Sequence, residues 1–484
     1  MEHIIKINLP GGYVSAGDLY EILLMAESVG AKHVRFGNRQ QLYFTLKDSD
    51  LETLEMEMLR MGVAYEVDAD EHPNIISSYV CDTIFSNESW LKEGVYRDIF
   101  DLFNHQPRLK INLVDQQQTF VPFFSGNLNF ISSDVSNYWH FYIRFPKTNQ
   151  FYQWPSVVYS DDIALLAKIT EDMIFDQKEH FFDQQKVNEL FFYKTVSSKI
   201  PTSLNHRSEP LKLPDFYLPY YEGFNKYDNN KYWLGIYRRD ELFPLEFLKD
   251  VCTFCIKTRI GQIYTTPWKS IIVKGIEQTS RIEWGYILDK YRLNVRHAAN
   301  ELNWQIEDLC EEGLNLKHQL VREFEEADLR TYRLSFAIKT QAKTGLLGSV
   351  IIKKQSPGIF AIQHTRDFNP NNKDFVVYKE DLEVADLAQS LAGLCDNYYA
   401  ISDKDERSDT SARQVNETDE KKSHRLAYQC KNCLSIYDQQ YGDELNGVLA
   451  GIRFESIESY TCPVCESNKG SFSPIYLING EAAV

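Results

Sequence analysis

The chain opens on strand-like alternation, Glu2-His3-Ile4-Ile5-Lys6-Ile7. Ser15-Ala-Gly-Asp18 then gives a helix-start pattern, followed by an apolar-periodic helix to about Gly30 and a strand-turn-strand over His33–Phe44. The same order returns near Pro244. Leu245–Cys255 reads as the helix, and Gln262-Ile-Tyr-Thr-Thr-Pro-Trp-Lys-Ser-Ile-Ile-Val273 as the strands. A constant offset of 229 puts Arg39 on Trp268, Gln40 on Lys269 and Leu42 on Ile271. Each copy leads into a longer mixed segment. The first, about 70–200, holds a strand at Leu109–Val114 and a Phe-rich stretch Phe120–Phe130. The second, about 285–400, predicts a helix over Val295–Glu326 and strands at Leu334–Ile338 and Val350–Lys354. A repeat of this kind predicts an α+β body built by tandem duplication, with pseudo-twofold symmetry.

The patterning stops at 401–425. That stretch has no aromatic residue and mixes seven acidic with six basic side chains. Such a segment buries too little apolar surface to offset its ordering entropy, so it predicts a flexible tether, spanning ~25–30 Å as a coil. The 484 residues carry a formal charge of −17. That balance argues against nucleic-acid and anionic-membrane partners. No apolar run approaches the ~18 residues of a membrane span. The N-terminus lacks a signal-peptide pattern, and nine cysteines is an odd number. The expectation is a reduced, cytoplasmic protein without structural disulfides.

Four of those cysteines form two C-x-x-C pairs, Cys430/Cys433 and Cys462/Cys465, with 28 residues between them. Each pair places two thiolates on one side of a tight loop. Two facing loops make a tetrahedral S₄ cage suited to zinc or iron. Zinc ribbons space their pairs more closely, by ~15–20 residues.

The surrounding residues are Tyr428, Tyr437-Asp438, Tyr441-Gly442-Asp443, Asn446-Gly447, Phe454, Tyr460 and Phe472. With the paired loops they make the segment 426–479 resemble rubredoxin. The resemblance implies a small metal-stapled domain with one iron on Cys430, Cys433, Cys462 and Cys465, working by one-electron transfer. Two departures stand out. Leu434 and Glu466 follow the second cysteine of each pair where the family carries Gly, and Tyr460 replaces a family Trp. A side chain at the Gly positions implies backbone strain.

The body resembles nitrite and sulfite reductases. Gly12–Leu19 with Arg35-Phe-Gly-Asn-Arg39-Gln40-Gln41-Leu looks like their ferredoxin-like half-domain, and the second copy ending in Thr266-Pro267-Trp-Lys-Ser-Ile-Ile looks like its partner. Pro107-Arg108-Leu-Lys110-Ile and Phe124–Ser132 are similar to the segment that follows. The resemblance implies half-domains at 1–68 and 231–282, α+β reductase-like domains at 69–230 and 283–400, a linker at 401–425 and the rubredoxin-like domain at 426–479. In that family, basic side chains grip an oxyanion and sirohaem carboxylates beside a [4Fe–4S] cluster. Arg39 falls on the family Arg, and Arg108 and Lys110 on its Lys-x-Lys pair, so these three are the candidate anion or tetrapyrrole contacts. A further family Arg has no counterpart near Pro73-Asn74. The family's cluster cysteines fall on Arg296–Trp304 and Lys339–Gly345, which hold none. No [4Fe–4S] centre is expected.

The expected function is electron transfer from a tethered Fe(Cys)₄ site to a redox partner, which the family likeness suggests is a reductase. The alternatives are a non-catalytic accessory of a nitrite or sulfite reductase system, or a cluster-less sirohaem reductase fed by its own rubredoxin domain. Catalytic residues are not assigned. Cys252 and Cys255 align with Leu23 and Ala26, which predicts core thiols rather than a redox pair. Cys81, Cys310 and Cys395 read as core, His297 and His364 as hydrogen-bonded structure, and Glu323–Glu326 as a helix face.

Overall fold

The computed structural model describes residues 2–86, 88–148, 151–184, 186–200, 210–341, 345–413, 425–433, 435–443, 446–449, 451–478 and 481–482. The 229-residue repeat is written into the backbone. The strand Glu2–Ile7 recurs as Lys231–Ile236, the helix Ala16–Ser28 as Leu245–Lys257, and the strand His33–Phe36 as Gln262–Thr265. Ser15 Oγ accepts the Asp18 N–H at 2.9 Å, satisfying one of the free amides at the helix start. In the second copy, Pro244 occupies that place. Leu19, Ile22, Leu23 and Ala26 are buried on one helix, and Leu248, Val251, Cys252 and Cys255 on the other, position for position. The two helices pack together.

The half-domains exchange strands. Tyr13–Ser15, from the first copy, pairs antiparallel with Gln262–Thr265 of the second. Phe243–Pro244, from the second, pairs with His33–Phe36 of the first. The sheets therefore run Phe243–Pro244, His33–Phe36, Leu42–Lys47, Glu2–Ile7, Tyr65–Val67 and, in the other copy, Gly223–Asp228, Lys231–Ile236, Ile271–Glu277, Gln262–Thr265, Tyr13–Ser15. Only the strand farthest from the exchange breaks the symmetry, since it follows its half-domain in the first copy and precedes it in the second.

The longer segments are also duplicated. In the first, Ile76–Ser77, Ile111–Val114 and Leu128–Ser132 run parallel, and Tyr138–Arg144 and Phe151–Gln153 add on antiparallel. In the second, Trp304–Ile306, Phe336–Lys339 and Val350–Ser356 run parallel before Ile359–Thr365 and Phe375–Glu383 turn back.

Two expectations are corrected. Val295–Glu326 is not one helix: Ala299–Leu302 and Glu311–Glu326 are helical, and Trp304–Ile306 between them is a strand. Burial of Trp304, Gln305 and Ile306 in the parallel sheet overrides local helix propensity there. The tether is also shorter than expected, because the helix Val384–Arg413 takes up the first half of 401–425. No Gly or Pro interrupts the chain from Leu394 to Arg413, and its Ala, Lys, Glu and Arg residues are good helix formers. Residues 414–424 lie outside the described residues.

The chain forms two compact units. One comprises Met1–Asn225 and Trp233–Cys395, the other Lys226–Tyr232 and Asp396–Val484. Among the described residues, no helix is long and apolar enough to cross a membrane.

At the centre of the first unit, Gln40 and Lys269 occupy equivalent left-handed turn positions, with φ of 63° and 55°. Both side chains are buried. Gln40 Nε2 donates to Ser77 O (3.2 Å) and Thr265 O (3.0 Å), and Oε1 accepts the Ser77 N–H (2.9 Å). It thus ties the first half-domain to its own α+β segment and to the second copy. Lys269 Nζ forms a buried pair with Glu241 (2.8 Å) and donates to Glu307 O (3.1 Å). Gln40→Ala leaves three buried backbone groups without their partner. It is expected to lower the stability of the body by ~2–4 kcal/mol, read as a fall in its denaturation midpoint; an unchanged midpoint would show that the turn does not join the copies.

Candidate metal centre and basic cluster

Strand Arg425–Cys430 pairs antiparallel with Phe472–Ile478 and with Ile436–Tyr437, which fixes Cys430 at a strand end. The two knuckles close in the same way. Cys430 N–H donates to Ser435 O and Cys462 N–H to Ser467 O, each at 2.8 Å. The Sγ atoms of Cys430, Cys433, Cys462 and Cys465 all lie within 4.8 Å of one another. Cys430 and Cys465 sulfurs stand 3.5 Å apart, and Cys433 and Cys462 sulfurs 3.4 Å. These distances are far beyond the ~2.05 Å of a disulfide. They fit four sulfurs about one ion at ~2.3 Å each. Among the described residues no other group of three or more His, Cys, Asp or Glu is placed to share a metal.

The protein around the cage is dry on one side and open on the other. Cys430 and Cys462 are fully buried, Cys433 is half-buried and Cys465 is exposed. Tyr437, Phe454, Tyr460 and Phe472 form the core behind the buried pair, with Phe454 centred 5.2 Å from each of the other three rings. Tyr437 O–H donates to Ile452 O (2.7 Å), and Tyr460 O–H to Asp443 Oδ2 (2.6 Å). Tyr460 therefore fills its place in the core while its polar end is satisfied. Glu466, expected to be strained, has φ of 59°. Leu434 lies outside the described residues. The Ser467 hydroxyl, 3.1 Å from Cys465 Sγ, holds that thiol down to about 6, which favours the thiolate that metals bind.

In the body, the three basic candidates have different surroundings. Arg39 is buried, and its guanidinium donates to Asn74 O (2.7 and 3.1 Å), Ile111 O (2.9 Å) and Asn112 Oδ1 (3.2 Å). Arg108 pairs with Glu171 and Asp172 (3.4 and 3.3 Å) and covers the Phe175 ring at 4.1 Å. Its charge is balanced there, and no observed contact links it to Lys110. Lys110 stays half-buried. Burial lowers its pKa, and the charges of Arg39 and Arg144 lower it further.

Sequence reasoning missed the residues that accompany Lys110. Asn127 N–H donates to Lys110 O, and Arg144 N–H to Asn127 O, both at 2.7 Å, so Lys110 and Arg144 flank Asn127 at the end of the sheet where Ile111–Val114, Leu128–Ser132 and Tyr138–Arg144 lie side by side. Arg144 Nη2 donates to Ser125 O (3.1 Å). Phe123 N–H donates to Asn371 Oδ1 (3.1 Å), tying this turn to the loop that carries Lys373. Lys339 pairs in register with Lys353. Burial pushes Lys373 down to about 7, aided by Arg144 and Lys339, and burial also lowers Lys339. The carboxylate of Glu307 is engaged by the Thr340 and Gln341 N–H groups (3.0 and 2.9 Å). Arg144 is the shared neighbour: its charge lowers Lys110, Lys339 and Lys373, while its own pKa is lowered by burial. Lys339 ends the strand Phe336–Lys339, near enough to Arg144 and Lys373 for their charges to interact.

The remaining sequence candidates are structural. Cys252 and Cys255 are buried, and burial raises both thiols. Cys81 and Cys395 are buried, whereas Cys310 caps the helix Glu311–Glu326 by accepting the Gly313 N–H. His297 Nδ1 meets Glu222 at 2.6 Å, and His364 Nδ1 meets Thr365 O at 2.9 Å. Tyr460→Phe keeps the ring and removes the bond to Asp443. It is expected to destabilise the metal domain by ~1–2 kcal/mol, read as a lower denaturation midpoint of that domain; an unchanged midpoint would make the bond dispensable.

Residues 427–472 match the rubredoxin family model. The structure of the Mycobacterium tuberculosis NirA protein superposes with a TM-score of 0.59 at 12% identity, covering 81% of this chain and 80% of that one. At that identity the likeness speaks for the fold. The chain thus joins a body of NirA-like α+β fold to a C-terminal rubredoxin domain with four cysteines placed for one metal ion.

Proposed function

We propose that this chain is an electron-transfer protein whose carrier is a single iron held by Cys430, Cys433, Cys462 and Cys465. The observation that carries this reading is the convergence of four sulfurs within 4.8 Å inside a segment that matches rubredoxin. Iron bound there supplies a one-electron ferric–ferrous couple. The protein does the rest. The aromatic core keeps water from Cys430 and Cys462, and exposed Cys465 gives electrons a short way out to a redox partner. The partner is a protein, and the body's likeness to nitrite and sulfite reductase scaffolds makes a reductase the favoured class.

A second reading concerns the body. The half-buried cations Lys110, Arg144, Lys339 and Lys373 suit an oxyanion or the carboxylates of a tetrapyrrole such as sirohaem. An anion would relieve their mutual repulsion. Arg39 supports the cluster by position and charge, since its donors are taken by backbone and Asn112. The segments 296–304 and 339–345 hold no cysteine, so this reading assigns the body no iron–sulfur cluster and gives the rubredoxin domain the role of donor.

The double variant Cys430→Ser/Cys462→Ser is expected to lose reversible one-electron reduction while the far-ultraviolet dichroism of the body persists. Retained redox activity would remove the four-cysteine site as the carrier. For the body, calorimetry with sulfite, nitrite or a tetrapyrrole polycarboxylate is expected to show binding that weakens as pH rises through about 7, where Lys373 loses its proton. Lys110→Ala/Arg144→Ala is expected to weaken it at least tenfold, ~1.4 kcal/mol; binding indifferent to both changes would place the anion elsewhere.

A further inference from the structure

The two knuckles are alike in backbone and unlike in side-chain support. Each has Ser two residues after its second cysteine, Ser435 and Ser467. Ser435 lends Cys433 its backbone N–H. Ser467 lends Cys465 its backbone N–H and also its hydroxyl, with Oγ 3.1 Å from Sγ. The hydroxyl is aimed by the opposite knuckle, since Asn432 Nδ2 donates to Ser467 Oγ at 2.7 Å. With that oxygen accepting from Asn432, the Ser467 proton is left to point at the sulfur. The counterpart of Asn432 in the second knuckle is Val464, which has no donor to offer Ser435.

We propose that Ser467, oriented by Asn432, is a positioning residue that raises the reduction potential of the four-cysteine site through Cys465. The inference rests on the rubredoxin-type iron reading above. On reduction one electron enters from an external one-electron donor; no bond breaks and no proton moves, and the tetrathiolate site gains one unit of negative charge. A hydroxyl donated to a sulfur stabilises the more negative, ferrous state more than the ferric one. The bond falls on the most exposed ligand, where the electron leaves.

The test is a mediated dithionite titration of the full-length, iron-loaded protein, followed by its visible spectrum. The wild-type chain must first show the ferric chromophore; its absence would refute the iron reading itself, before any variant is compared. Ser467→Ala is expected to favour the ferric state by on the order of threefold to tenfold, the upper end being ~59 mV for one electron. Asn432→Ala is expected to shift the same way by less, Ser467→Thr to restore the wild-type value, and Ser435→Ala to leave it unchanged. Equal potentials for Ser467→Ala and wild type, or equal shifts for Ser435→Ala and Ser467→Ala, would overturn the proposal. Should Ser467→Ala fail to take up iron, Asn432→Ala decides: an unshifted potential there would overturn it.

Discussion

Four thiolates cannot share a space under 5 Å across without a cation among them, and the C-terminal domain is organised around that repulsion. Its core is a handful of rings, far less than a stable domain of this length requires without a staple. A metal bound there would couple its binding to the folding of this domain. The same constraint explains the asymmetry of the site: two ligands lie against the rings, and one faces water, stabilised as thiolate by Ser467. A structural metal would be served as well by four buried sulfurs. An exposed ligand backed by a dry core is the arrangement an electron carrier needs.

The body is held by a different device. Each half-domain gives a strand to the other, so neither sheet is complete alone. At the centre the duplication has diverged in charge while conserving shape. Gln40 and Lys269 share a left-handed turn, but one is neutral and satisfied by backbone, the other a buried cation paired with Glu241. Arg39 shows how far such divergence reaches, because its guanidinium now holds three elements together. Further half-buried basic side chains stand at Lys110, Arg144, Lys339 and Lys373.

Much of this was legible in the sequence where one residue pattern sets one local geometry. The 229-residue offset paired the helices and the strand-turn-strands of the two half-domains, though not the strand Lys231–Ile236, and it identified Cys252 and Cys255 as core through Leu23 and Ala26. The convergence of the four cysteines was legible because a C-x-x-C turn fixes its own sulfurs. What escaped depends on distant partners. Trp304–Ile306 reads as helix until the parallel strand at Phe336–Lys339 claims it. Arg108 reads as an anion ligand until Glu171 and Asp172 arrive from more than sixty residues away. Arg144 and Lys373 carry no motif; sheet register and the Asn371 bond bring them to the same turn.

Electron transfer at the four-cysteine site requires iron there. Metal analysis of the full-length protein, purified without oxygen from cells supplied with both iron and zinc, tests it most directly. One iron per chain is expected, with a ferric thiolate chromophore that bleaches on reduction and returns on oxidation. One zinc per chain, colourless and redox-silent, would contradict it and make the domain a structural module.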